Sequence, residues 1–173
     1  FHVYETRQTI QARHRPIVFI TLVDDEVRQI ISSPECRGMV LDILQAFVEP
    51  LEQEFGVKPK AFRNTELIYS DRIGEIVASL GFRTMLTEGA KHILGWKSPN
   101  FVYANAINPK LHLLLRNFKL SDDIAFRFSD RGWKDWPLTG EKYLSWLKAA
   151  DGDIVNLFMD YETFGEHQKA DSG

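Results

Sequence analysis

Apolar segments of two different periods alternate along this chain, and this alternation constrains the fold more than any other feature. Residues 17–23, IVFITLV, form a short uninterrupted apolar run, which predicts a buried strand. Between Glu35 and Phe55 the apolar residues recur at helical spacing, which predicts a helix. Gly56 is placed to end that helix, and Pro50 inside it predicts a kink or a break. Because strands that are apolar on both faces need helices to cover them, the sequence predicts an α/β fold, either a parallel barrel or an open sheet.

The rest of the chain continues this pattern without a linker, a low-complexity tract or a repeat, so we expect residues 1–173 to form a single domain. Further strands are predicted at 61–69, 82–87, 101–106, 111–118 and 153–161. Further helices are predicted from Ser70 to Gly81, from Ser121 and Asp122 through Phe128, and from Thr139 to about Ala149.

Charge and composition exclude several classes of partner. The formal net charge is -3, and the basic residues are scattered singly rather than gathered in a stripe, so we expect no nucleic-acid partner. No stretch approaches the ~18 consecutive apolar residues of a membrane span, so we expect no membrane partner. The single cysteine, Cys36, suits a reducing compartment, and the first residues lack a secretory pattern, so we expect a cytoplasmic protein.

The sequence offers no metal or nucleotide motif. The five histidines, at positions 2, 14, 92, 112 and 167, form no His-x-x-x-His pair and no cluster with cysteine. A phosphate-binding glycine-rich loop is also missing. We therefore expect chemistry that needs neither a metal nor a cofactor.

Two acidic residues stand late in predicted strands or just beyond them, Glu66 in 61–69 and Asp160 in 153–161. In α/β folds of this kind the active site gathers at the carboxyl ends of the strands. That shared placement is the first functional signal. Their placement alone also suits a helix cap or a surface charge.

The segments around both residues carry a family resemblance. FRNTELIYSD (62–71) resembles the nucleophile region of glycoside hydrolase family 57, and MDYETFGEHQ (159–168) resembles its acid/base region. Residues 113–133 resemble the connecting sequence of the α-amylase-like branch, so the resemblance covers about residues 38–168. It implies a parallel (β/α)7-type barrel and retaining cleavage or transfer of α-glucans, with Glu66 as the nucleophile and Asp160 as the general acid/base.

Residues beside the pair are candidates for tuning it. Strand alternation would place Asn64 on the face of Glu66 and Arg63 on the opposite face, so Asn64 could bind Glu66 or a sugar hydroxyl. If extended structure persists after Asp160, Glu162 points the same way and would raise the pKa of Asp160. A structural amide and a helix cap are the competing roles.

Other residues are candidates for holding the substrate. Asp122 and Asp123 resemble a family segment beside the active site, although helix capping would also explain them. An indole in a glycine- and proline-bearing loop could stack on a sugar ring, whereas Trp146 lies in a predicted helix and is expected in the core. The predicted substrate-binding residues are Asn64, Asp123, Trp96, Trp133 and His167, with Trp136 as a further loop indole.

The sequence also departs from the family. The His-Gln-Pro motif of the first strand is reduced to a faint echo at 14–16, residues 1–37 match nothing in the family, and the helical region after the barrel is absent. We therefore expect an incomplete barrel, which self-association would complete. One alternative is a truncated homologue that serves as a glucan-binding or structural module without turnover. Another is a metal-dependent carbohydrate deacetylase, which needs one aspartate and two histidines on one face.

Overall fold

A computed structural model describes residues 37–64 and 66–168 of the chain. The predicted strand at 17–23 lies outside the described residues. The chain divides into two compact units, the first comprising the chain up to Thr87 together with Tyr103–Leu114, the second comprising Glu88–Val102 and the chain from Leu115 onward. The single-domain expectation for residues 1–173 stays a prediction.

Helices and strands alternate over the described residues. The helices are α1 (Arg37–Phe55), α2 (Asp71–Ser79), α3 (Lys91–Leu94), α4 (Phe118–Ala125) and α5 (Gly140–Ala149), followed by a 3-10 helix at Tyr161–Thr163. The strands are β1 (Ala61–Arg63), β2 (Thr84–Glu88), β3 (Tyr103–Ala104) and β4 (His112–Arg116). None of these helices combines the length and the hydrophobicity that a membrane span requires.

The four strands form one mostly parallel sheet in the order β1-β2-β4-β3. β1 runs parallel to β2, with Phe62 opposite Met85, and only the short β3 pairs antiparallel, with β4. Parallel neighbours need a crossover between them, and α2 supplies it between β1 and β2. The predicted α/β class with a mainly parallel sheet is therefore confirmed.

Helix α2 covers this sheet as its sequence predicts. The Ser70 hydroxyl accepts a hydrogen bond from the Ile73 N–H at 3.2 Å, so Ser70 is the N-cap. Ile73, Ile76 and Val77 are buried along one face, and Gly81 takes the left-handed conformation that follows the helix. These three predictions are confirmed.

Two other helix boundaries are confirmed by the same kind of local chemistry. Gly56 ends α1 with a left-handed φ of 65°, and its N–H donates to the Glu52 carbonyl. The Thr139 hydroxyl accepts from the Lys142 N–H at 3.3 Å and caps α5. Pro50 lies inside α1, which runs without interruption from Arg37 to Phe55, so the predicted break is wrong and the predicted kink stays a prediction.

The structure contradicts three of the predicted elements. Strand β1 ends at Arg63 rather than at 69, because the chain turns after Asn64. The 153–161 segment contributes a single bridge residue, Asn156, instead of a strand. Ser121 and Asp122 lie inside α4, whose N-cap is Asn117, since the Asn117 side chain accepts from the Leu120 N–H.

Candidate active site

Glu66 lies in a tight turn directly after β1. The Leu67 N–H donates to the Asn64 carbonyl at 2.9 Å, and Leu67 has the left-handed φ of 53°. That conformation costs a non-glycine residue roughly 1–2 kcal/mol, so it persists only where the surroundings impose it. The turn buries Leu67, which is 7% exposed, and leaves Glu66 exposed. Leu67 is therefore the anchor that turns the Glu66 carboxylate towards solvent.

Asn64 is buried beside this turn. Its side chain is 3% exposed, and its Oδ1 has no hydrogen-bond partner among the described residues. The argument that placed Asn64 on the same face as Glu66 is wrong, because alternation requires a strand and β1 has already ended. The contact of Asn64 with Glu66 or a sugar stays a prediction. It has a physical reason, because a buried carbonyl oxygen without a donor is stabilised when a ligand supplies one.

A second group of side chains holds the far end of the turn. The Tyr69 hydroxyl donates to the Asp71 carboxylate at 2.8 Å and accepts from the Asn105 Nδ2 at 2.7 Å. Burial, followed by the hydrogen bond with Asp71, raises the pKa of Tyr69 well above its usual range. A methyl group on Gly74 would collide with the Asn105 amide and displace it from these hydrogen bonds. This network ties α2 to the loop before β4.

Asp160 lies at the end of an irregular segment that runs beside the last residues of β4. The Asn117 N–H donates to the Asn156 carbonyl at 2.9 Å, and the Asn156 Nδ2 donates to the Leu115 carbonyl at 3.1 Å. Two residues later, the Phe158 N–H donates to the Ser121 hydroxyl at 3.2 Å. One backbone bond at Asn156 and two bonds with side chains thus hold this segment, in place of the continuous backbone ladder of a regular strand.

Arg116 is the strongest of these anchors, and sequence reasoning missed it. Its Nε donates to the Phe158 carbonyl at 2.7 Å, while its two terminal nitrogens form ion pairs with Glu88 at 3.2 Å and with Asp122. Because the five N–H groups of a guanidinium lie in one plane, a single arginine can bind three acceptors at once. An arginine that ends a predicted strand, followed by an acidic pair, is the signal that could have identified it.

Asp160 itself is exposed and stands at the N-terminus of the 3-10 helix. Its carbonyl accepts from the Thr163 N–H, but its carboxylate makes no capping hydrogen bond. Glu162 lies inside that helix and is exposed, so the expectation of extended structure from Asp160 to Glu162 is wrong. His167 is exposed, and its N–H donates to the Glu162 carbonyl.

The remaining predicted contacts differ in exposure. Asp123 is 2% exposed and pairs with Arg127 at 2.7 Å, whereas Trp96 is 92% exposed. Trp133 is half-buried against Trp146, with the ring centres 6.0 Å apart, so Trp146 is only partly in the core. Within the described ranges, no group of three or more His, Cys, Asp or Glu side chains could hold a metal ion.

Comparison with known sequences adds a family match. The sequence profile of glycosyl hydrolase family 57 matches residues 46–173. A protein of Methanocaldococcus jannaschii named "Putative alpha-amylase" is 50% identical over 134 residues, which cover 73% of this chain and 28% of that protein. No solved structure matches the chain significantly.

A second group of relatives has another name. A Methylibium petroleiphilum protein named "Putative phosphoenolpyruvate synthase regulatory protein" is 68% identical over 44 residues, 25% of this chain and 15% of its own length. A protein of the same name from Verminephrobacter eiseniae is 36% identical over 80 residues, 45% of this chain and 29% of its own length. The chain thus covers less than a third of each of these relatives.

Proposed function

Because this chain belongs to glycosyl hydrolase family 57, we propose that it is part of the catalytic barrel of a retaining glycoside hydrolase or glucanotransferase acting on α-glucans. The observation that carries the proposal is the extent of the family match. Residues 46–173 include both carboxylate-bearing segments, 62–71 and 159–168. The four-stranded sheet is taken as a portion of a (β/α)7-type barrel.

The two carboxylates would divide the reaction between them. Glu66 attacks the anomeric carbon and forms a covalent glycosyl-enzyme, while Asp160 protonates the departing glycosidic oxygen. Asp160, now ionised, then removes a proton from water or from an acceptor sugar, which takes the glycosyl group from Glu66 with overall retention. Among the described residues neither carboxylate has a hydrogen-bond or ion-pair partner, so both are free to meet a substrate.

Release of reducing ends from soluble starch, with and without a chelator, tests this proposal. A hydrolase of this kind releases them equally in both conditions. A non-catalytic glucan-binding module binds starch and releases none. A metal-dependent deacetylase releases acetate from an acetylated sugar and loses that activity with the chelator.

The second group of relatives favours one further candidate function. Two proteins that share stretches with this chain, 68% identical over 44 residues and 36% identical over 80 residues, are each named "Putative phosphoenolpyruvate synthase regulatory protein". From these shared stretches we infer that the chain could change the rate at which phosphoenolpyruvate synthase works. Addition of the chain to the purified synthase tests this, and an unchanged rate of the synthase would reject this second function.

A further inference from the structure

A cavity of about 720 Å3 lies within the unit formed by Glu88–Val102 and the chain from Leu115 onward. Its volume falls in the range of small-molecule sites, roughly 300–1,000 Å3. Two indoles, Trp133 and Trp146, stand in its wall and meet edge to face. Asp160 is not among its lining residues.

Asp123 lines this cavity and has one carboxylate oxygen without a hydrogen-bond partner among the described residues. Its side chain is 2% exposed, and its Oδ1 accepts from Arg127 at 2.7 Å. Its Oδ2 is buried and has no hydrogen-bond partner in the part of the chain that the structure describes. A buried carboxylate oxygen without a donor is costly, and a ligand that brings a donor removes that cost.

The other polar groups of the cavity restrict the kind of ligand. The amides of Asn100 and Asn117 already bond to each other at 3.0 Å, so they are partly satisfied. The charged side chains in the wall balance, with three basic and three acidic residues: Lys119, Arg127, Lys134, Asp123, Asp135 and Asp151. A balanced wall favours a neutral ligand over a polyanion or a polycation.

We propose that this cavity binds a glucosyl unit of an α-glucan, with a sugar hydroxyl donating to the Asp123 Oδ2 and the ring lying against Trp133 and Trp146. A pyranose ring offers both requirements, since it carries hydroxyl donors on its edge and an apolar C–H face for an indole. The choice of an α-glucan rests on the proposed function. The unpaired Asp123 Oδ2 and the two indoles of the wall are features of the structure and do not depend on that proposed function.

Indole N–H signals of the 15N-labelled chain test this site directly. The chain has four tryptophans, and Trp→Phe variants assign their signals. Maltotetraose is titrated in a Glu66→Gln background, so that it is not cleaved. We expect the Trp133 and Trp146 signals to move together. Asp123→Asn should weaken the binding about tenfold or more, whereas Asp153→Asn, an exposed aspartate outside the wall, should leave it unchanged.

Trp133→Leu provides a second variant if circular dichroism shows that Asp123→Asn does not fold, and it should weaken binding about three- to tenfold. The proposal is overturned if maltotetraose moves neither indole signal, or if spermidine moves them and maltotetraose does not. Starch cleavage with unmoved indole signals rejects the cavity alone. Moved signals without starch cleavage reject the catalytic proposal alone.

Discussion

At the scale of single residues, Glu66 and Asp160 reach solvent by different backbone devices. Glu66 lies in a turn whose next residue, Leu67, is buried in a left-handed conformation. Asp160 precedes a 3-10 helix but does not cap it with its side chain. In both places the carboxylate is exposed and has no hydrogen-bond or ion-pair partner in the part of the chain that the structure describes. A free carboxylate is what the proposed nucleophile and acid require.

The nucleophile assignment predicts the outcome of Glu66→Gln. The amide keeps the shape of the side chain but cannot attack, so turnover of starch should fall on the order of 10^4- to 10^6-fold, while the melting temperature stays the same. Glu52→Gln, at an exposed position of α1, is the matched control and should keep full activity. Undiminished turnover by Glu66→Gln would show that another group attacks.

The acid/base assignment predicts a different pattern for Asp160→Asn. Cleavage of natural glucans should fall about 10^2- to 10^4-fold, since their leaving groups need protonation. Substrates with an activated aryl leaving group should be cleaved at first and then stall as the glycosyl-enzyme, because no base remains to activate water. Azide, which needs no base, should restore turnover and give a product of retained configuration.

Asp42 is another exposed aspartate, and Asp42→Asn is the matched control for Asp160→Asn. Its turnover should equal that of the wild type with both types of substrate and should not change when azide is added. Two results would contradict the assignment of Asp160. One is an equal loss with both types of substrate, and the other is the absence of any azide rescue. An inverted azide product would instead reject the covalent role of Glu66.

At the scale of elements, Arg116 joins the ends of β2 and β4 to α4 and to the segment that leads to Asp160. Arg116→Gln removes the bond to Phe158 and both ion pairs, so the free energy of unfolding should fall by about 1.5–3 kcal/mol. As a positioning residue, Arg116 should affect kcat more than KM, since the bound substrate is unchanged while Asp160 loses its support.

Arg72→Gln is the matched control for Arg116. Arg72 is 62% exposed and forms an ion pair with Glu75 within one turn of α2. Such a pair contributes about 0–1 kcal/mol, so this variant should keep both its stability and its kcat. If Arg116→Gln raises KM with kcat unchanged, the positioning role is wrong and Arg116 serves binding instead.

Helix α5 carries a pH-dependent contact through Tyr143, whose hydroxyl donates to the Leu120 carbonyl at 2.8 Å. Burial, followed by the negative charge of Asp123, raises the pKa of Tyr143 from 10.0 to about 12. The unfolded chain therefore ionises first as pH rises. The contribution of Tyr143 to the free energy of unfolding is complete below pH 10 and is lost between about 10 and 12.

Urea denaturation of Tyr143→Phe and of the wild type at several pH values tests this contribution. At pH 8 the variant should be less stable by about 0.5–1.5 kcal/mol, because it lacks the hydrogen bond. Between pH 10 and 11.5, both inside the window set by the shift from 10.0 to about 12, its stability should fall less steeply than that of the wild type. Parallel curves would show that Tyr143 does not titrate differently in the folded chain.

At the scale of the whole molecule, the chain covers 28% of its Methanocaldococcus jannaschii relative and carries large apolar side chains on its surface. Phe55 is 52% exposed in one unit, and Val102 is 47% exposed in the other. Such side chains favour association where they form a contiguous patch. Following from the incomplete barrel that the sequence predicts, we propose that copies of the chain associate and complete a barrel-like site.

Light scattering after size exclusion should give a mass that is a multiple of 20.0 kDa and that decreases on dilution. If association completes the site, activity per chain should rise with protein concentration over the same range. A mass of 20.0 kDa at every concentration, with constant activity per chain, would contradict self-association and would place a complete site within one copy.

The sequence by itself determined the features that depend on neighbouring residues. The caps at Ser70 and Thr139 and the helix end at Gly56 follow from short-range hydrogen bonds and from the backbone freedom of glycine. The family was also legible, because its two motifs are contiguous segments around Glu66 and Asp160. None of these signals requires knowledge of distant parts of the chain.

The tertiary structure alone decided where β1 stops, why 153–161 is not a strand, and which side chains are buried. Arg116 replaces a backbone ladder with contacts to residues 28 positions earlier and 42 positions later. Asp123 lines a cavity together with residues that come earlier and later in the chain, including Asn100 and Trp146. Periodicity cannot reveal such contacts, because pairing and burial depend on which distant groups supply hydrogen bonds and exclude water.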